Sequence, residues 1–158
     1  MGKQQPIEIF MPPNILKAKV GGNGGLDISA VRRAELAVEE LRDEFAGWMA
    51  EDVNRLATAR DAYIAARSVD TLGALYRASH DLKGQGTTFD YPLVARMAAS
   101  LCKLTDVEGD GKEIPANLVD AHVDAIKVIF RQNIKDSANM TATVLAKELE
   151  RRVAEYQG

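Results

Sequence analysis

At 158 residues the chain can bury a real core in a single domain, and 46% hydrophobic with 27% charged residues is ordinary globular composition. A net charge of −3 gives no electrostatic case for binding nucleic acid or an anionic membrane, and no apolar run approaches the roughly 20 residues of a membrane span. One cysteine, Cys102, excludes an internal disulfide framework and, with no secretory signal at the N-terminus, leads us to expect a cytoplasmic protein.

Residues 1–27 are expected to form an irregular arm, since Pro6, Pro12 and Pro13 break any helix. The short apolar segment Ile7-Glu8-Ile9-Phe10-Met11 could lie extended, and Gly21-Gly22-Asn23-Gly24-Gly25 reads as a linker. A phosphate-cradling glycine loop is the sharper reading of that run, but neither G-x-G-x-x-G nor G-x-x-x-x-G-K spacing is present.

From Ser29, a candidate cap, apolar residues recur every three or four places: Val31, Ala34, Val38, Leu41, Phe45, Trp48, Met49, Val53, Leu56, Ala59 and Tyr63. The run is either one long helix to about Ala66 or two with a break near Gly47, and two are expected, because a second helix from about Trp48 could turn back into a bundle. Ser68-Val69-Asp70 then caps a helix running from about Asp70 to Phe89. Asp90-Tyr91-Pro92 ends it and starts another, with Leu93, Val94, Met97, Leu101 and Leu104 inward. A loop over residues 106–115 precedes a helix carrying Leu118, Val119, Val123, Ile126, Ile129 and Phe130. The last helix, from about Thr141 to Tyr156, is expected to turn Val144, Leu145, Leu149 and Val153 inward. The fold class is therefore all-α. We expect an antiparallel four-helix bundle with an additional N-terminal helix and an irregular N-terminal arm, the helical domain being 28–158 and its core about 48–156.

Several candidate sites fail on their own chemistry. Asp106 to Lys112 opens like a calcium loop, but its eighth place is Glu113 and its twelfth Asn117 instead of a bidentate Glu, so a solvated turn is the better reading. Cys102 has no placed base and reads as a small packed residue. His122 lies one place off its helix's apolar stripe and is expected at the boundary or surface. With His80 the only other histidine, no histidine-based metal site is expected.

The stretch Ala78-Ser79-His80-Asp81-Leu82-Lys83-Gly84 is different. Leu72, Leu75, Tyr76, Leu82 and Phe89 share one helical face, with Ser79 and Gly86 in phase. At about 100° per residue His80 falls off that face, on the side of Gly73, Arg77 and Gly84, with Lys83 about 60° round. A neutral imidazole is a nucleophile. If it accepts a phosphoryl group, Lys83 is placed to attract the new negative charge, and Gly84 leaves room for another protein's active site. No nucleotide-binding motif is present, so the phosphoryl donor is expected to be another protein.

The same string resembles the H-x-x-K-G motif of histidine-containing phosphotransfer (HPt) domains, carried there on the second helix of a four-helix bundle. Phe89 falls where that family has an apolar residue nine places after the histidine, and Val94, Met97 and Leu101 fall on its buried positions in the next helix. Asp90 stands where the family commonly has Gly, and Cys102 where it often has Glu. The resemblance implies a phosphoryl carrier without kinase activity of its own, in two-component signalling. It implies that His80 accepts from a receiver-domain aspartate and passes the group to another receiver. Lys83 then stabilises the added charge and Gly84 gives access. Gly73, Arg77, Gln85 and Thr87 are candidate partner-binding residues from helical phase. The partners implied are a response-regulator receiver domain and a hybrid histidine kinase. Magnesium is expected in the receiver, with no cofactor or metal of the chain's own, and a monomer is expected. Two other readings stand beside this. A divergent histidine-kinase dimerisation domain shares Ser79 to Lys83 of its H-box, although that motif continues with Thr or Asn and then Pro where Gly84 and Gln85 follow here. A helical adaptor could bind a receiver through the same face without carrying phosphate.

Overall fold

The computed structural model describes residues 27–106, 113–135 and 138–158. The glycine-rich run and most of the loop weighed as a calcium site lie outside the described residues. The described residues form five helices: α1 (Ile28–Ala65), α2 (Val69–Thr88), α3 (Pro92–Thr105), α4 (Ala116–Arg131) and α5 (Met140–Gln157). No strand occurs among the described residues. This is the expected all-α class, with one helix beyond four.

The helix ends follow local chemistry. Asp27, not Ser29, caps α1: its Oδ1 accepts from the backbone N–H groups of Ser29 at 3.1 Å and Ala30 at 3.3 Å. Ser68 caps α2 through a reciprocal box, its hydroxyl taking the Thr71 N–H at 3.1 Å while Thr71 Oγ1 takes the Ser68 N–H at 3.0 Å. Pro92 opens α3, where its missing N–H is no loss.

The break expected near Gly47 does not exist, and α1 passes through it as one helix. A mid-helix glycine costs only about 1 kcal/mol against alanine, too little to end a helix whose two flanks both favour it. Chain contacts divide the molecule at this point into two units, Met1–Gly47 and Trp48–Gly158. Within the first, Val31, Val38, Leu41 and Phe45 are half-buried and Ala34 and Leu36 exposed.

The second unit holds the buried core. Met49, Val53, Leu56 and Tyr63 of α1 meet Leu75 and Leu82 of α2, the Leu93–Leu104 stripe of α3, Val119, Val123, Ile126 and Ile129 of α4, and Leu149 and Val153 of α5. Val144 and Leu145, expected inward, are exposed; α5 buries Ala142, Ala146, Leu149 and Val153 instead. Those four share one face, and Val144 lies about 200° round from Ala142. Helix α2 approaches α3 most closely at Gly86, where a Cβ would sit 2.9 Å from the Ala95 backbone nitrogen. An ion pair joins α3 to α5, Arg96 reaching Glu150 with two bonds of 2.7 and 2.8 Å.

Candidate functional site

Helix α2 is anchored on its buried face by Leu75, Ala78, Ser79, Leu82 and Gly86. Ser79 is accommodated there because its hydroxyl donates to the Leu75 carbonyl at 2.8 Å. With that face fixed, the helical repeat turns His80, Arg77, Gly84 and Thr87 outward; all four are exposed, and Gly73, Lys83 and Gln85 are half-buried. The expected phase of the helix is the observed one.

Neither ring nitrogen of His80 is hydrogen-bonded among the described residues. Its ring meets that of Tyr76, one turn earlier, with centroids 6.1 Å apart and planes at 34°. Tyr76, read from the sequence as part of the apolar face, is half-buried and serves both sides. The i, i+4 spacing of the two aromatic rings was the available signal.

Lys83 forms no ion pair among the described residues. It lies close enough to α3 to be felt by the Cys102 thiol, which burial pushes up, the Lys83 charge opposes, and Asp106 and Asp81 reinforce. A Cβ at Gly84 would meet nothing within 4 Å among the described residues, so packing there does not require the glycine. The four residues named for partner binding are spread over about 20 Å of helix axis. At one end Arg77 folds back over Gly73, where a Cβ would lie 3.3 Å from its Nη1. At the other Thr87 spends its hydroxyl on the Lys83 carbonyl at 3.1 Å.

His122 is fully buried, against expectation. Its Nδ1 lies 2.8 Å from the Leu118 carbonyl and its Nε2 2.9 Å from Ser100 Oγ. A carbonyl only accepts, so Nδ1 carries the proton and donates, while Nε2 accepts from the serine hydroxyl. Burial holds its pKa below the ordinary 6.5, the Leu118 bond and Glu150 offsetting this in part. The partner serine sits 22 residues away, and nothing in the local helical phase reveals it. His80 is thus the histidine open to a partner.

No group of three His, Cys, Asp or Glu side chains could hold a metal among the described residues, and no described helix is long and apolar enough to cross a membrane. A family model described as Hpt domain matches residues 40–154. No match was found among curated proteins or among solved structures. The matched span begins inside α1, takes in every residue of the buried core, and includes the exposed histidine of α2. The chain belongs to the Hpt domain family, whose members are phosphocarriers, not kinases, and act in histidine phosphotransfer within phosphorelay signalling.

Proposed function

We propose that the protein is a phosphorelay intermediate in which His80 accepts a phosphoryl group from a receiver-domain aspartate and returns it to the aspartate of another receiver. The observation that carries this reading is the state of His80: exposed, on the H-x-x-K-G string of α2, with neither ring nitrogen engaged among the described residues. A nucleophile has to offer a free lone pair, and this imidazole does. Its nitrogen attacks phosphorus as the acyl-phosphate P–O bond breaks and the partner's aspartate leaves as carboxylate. The second transfer reverses these steps with a different carboxylate. Lys83, in no ion pair among the described residues, attracts the dianionic phosphoryl group once it sits on the ring. Gly84 leaves the helix surface low enough for a receiver to close over the histidine. Magnesium and the aspartate come from the receiver. Gly73, Arg77, Gln85 and Thr87 are the flanks of that docking face on the helical domain 28–158, with the irregular arm 1–27 outside the transfer itself.

The test is phosphotransfer from a panel of phosphorylated receiver domains, read by intact mass, beside an ATP-only control and His80→Gln. The expected result is an acid-labile gain of one phosphoryl group that is absent in His80→Gln and with ATP alone. Transfer that survives in His80→Gln, or labelling by ATP alone, overturns the reading. If the folded protein binds a receiver but never gains phosphate, it is an adaptor.

A further inference from the structure

The two histidines are held in opposite ways. His122 is fixed by hydrogen bonds at both nitrogens, which leaves no lone pair for chemistry. His80 has no such bond among the described residues, and its ring contact is with Tyr76. Helical side chains lean toward the N-terminus, so residue i is brought over residue i−4. The imidazole accordingly lies beside the Tyr76 ring in a tilted pair, 6.1 Å between centroids and 34° between planes. Aromatic rings at roughly 4.5–7 Å attract one another beyond the area they bury. Tyr76 is itself half-buried, so it offers His80 a wall anchored in the domain.

An attacking imidazole has two conflicting needs. It must be oriented, since a transfer in line at phosphorus depends on where the nitrogen lone pair points. It must also keep that nitrogen unoccupied, and a hydrogen-bond partner of the kind that holds His122 would consume one. Contact with a neighbouring aromatic ring restricts the imidazole plane without using either nitrogen. We propose that Tyr76 is the positioning residue of the phosphoacceptor, fixing the plane of His80 while both ring nitrogens stay open. The proposal rests on the assignment of His80 as acceptor made above. In the step itself the free nitrogen forms the N–P bond, the acyl-phosphate P–O bond breaks, and the aspartate departs as carboxylate. The proton on the other ring nitrogen stays on the ring until water takes it. Tyr76 exchanges no proton and contacts no reacting atom; it acts through the orientation of His80.

The experiment uses the full chain and a receiver domain phosphorylated with acetyl phosphate. Wild type, Tyr76→Ala, Tyr76→Phe and His80→Gln are compared in single-turnover transfer at increasing receiver concentration, with thermal melts and NMR of the His80 ring protons. Tyr76→Ala is expected to lower the saturated transfer rate by a few-fold to about tenfold, with half-saturation within about twofold of wild type. Its His80 ring protons should shift as the neighbouring ring current is lost. Tyr76→Phe, which keeps the ring and loses only the hydroxyl, should restore rate and shifts. A wild-type saturated rate in folded Tyr76→Ala overturns the proposal, as does failure of Tyr76→Phe to rescue. An effect confined to half-saturation overturns it too, because Tyr76 would then be a docking contact. Transfer persisting in His80→Gln instead removes the acceptor assignment, so the two failures are told apart.

Discussion

At the scale of single residues, burial decides what each histidine can do. His122 stays neutral in the folded protein below the pH at which the unfolded chain takes up a proton, since burial lowers its pKa from 6.5. The unfolded state therefore binds more protons in that window. The contribution of His122 is fully present above about pH 6.5 and is lost as the pH falls below it, at up to about 1.4 kcal/mol per pH unit. Urea midpoints measured from pH 8 to pH 5 should fall more steeply for wild type than for His122→Gln, and parallel curves would count against the assignment. Glu150 acts lower on the scale. The hydrogen bonds from Arg96 hold its carboxyl below the ordinary 4.5, so that stabilisation is lost only in more acid solution. Lys83 carries no structural duty visible in its contacts. Lys83→Ala should leave the melting temperature within the roughly 0.5 kcal/mol typical of surface changes, yet slow transfer or shorten the phosphohistidine lifetime on the order of tenfold. An unchanged rate and lifetime would remove Lys83 from the mechanism.

At the scale of elements, two of the three glycines of α2, Gly84 and Gly86, form a natural pair of controls. Nothing surrounds Gly84, so Gly84→Ala should raise the melting temperature by about 2–4 °C through helix propensity, while the added methyl obstructs the receiver and slows transfer. Gly86→Ala drives a methyl into Ala95 and should cost about 1–3 kcal/mol through forced separation of α2 and α3. Equal effects on stability would show that the two sites do not differ in this way. The turn between those helices holds Asp90 at φ 63°, the left-handed conformation that glycine adopts without strain. Asp90→Gly should therefore stabilise by about 0.5–1 kcal/mol and Asp90→Val destabilise, read in thermal melts. Legibility divides along the same physics. The phase of α2, the Ser68 cap and the Pro92 start were readable because each rests on neighbours within one turn. The continuity of α1 was not, because one glycine is a small cost set against flanks that both favour helix. Nor was the inward face of α5, since counting large apolar residues favours Val144 and Leu145 over the alanines that are buried. His122 was missed because its partner, Ser100, comes from another helix.

At the scale of the whole molecule, every described residue of the buried core lies at or beyond Met49. The N-terminal part of α1 contributes none. A chain starting at Glu40, where the family match begins, should unfold cooperatively with a urea midpoint close to that of the full chain and should still accept phosphate. A broad, non-cooperative transition would show that residues 1–39 complete the fold. The Arg96–Glu150 pair fastens α5 to α3, the helix packed against the one that carries the acceptor.

The opposite burial of the two histidines has a practical consequence. With only His80 and His122 in the sequence, one sealed in the core and one in solvent, the native protein is a single-site reagent target. An imidazole-acylating compound such as diethyl pyrocarbonate should modify one histidine quickly in the folded state and reach the second only on unfolding. The lag between them then becomes a clock for how often the core opens, and the fast site a handle for attaching a probe where the receiver lands.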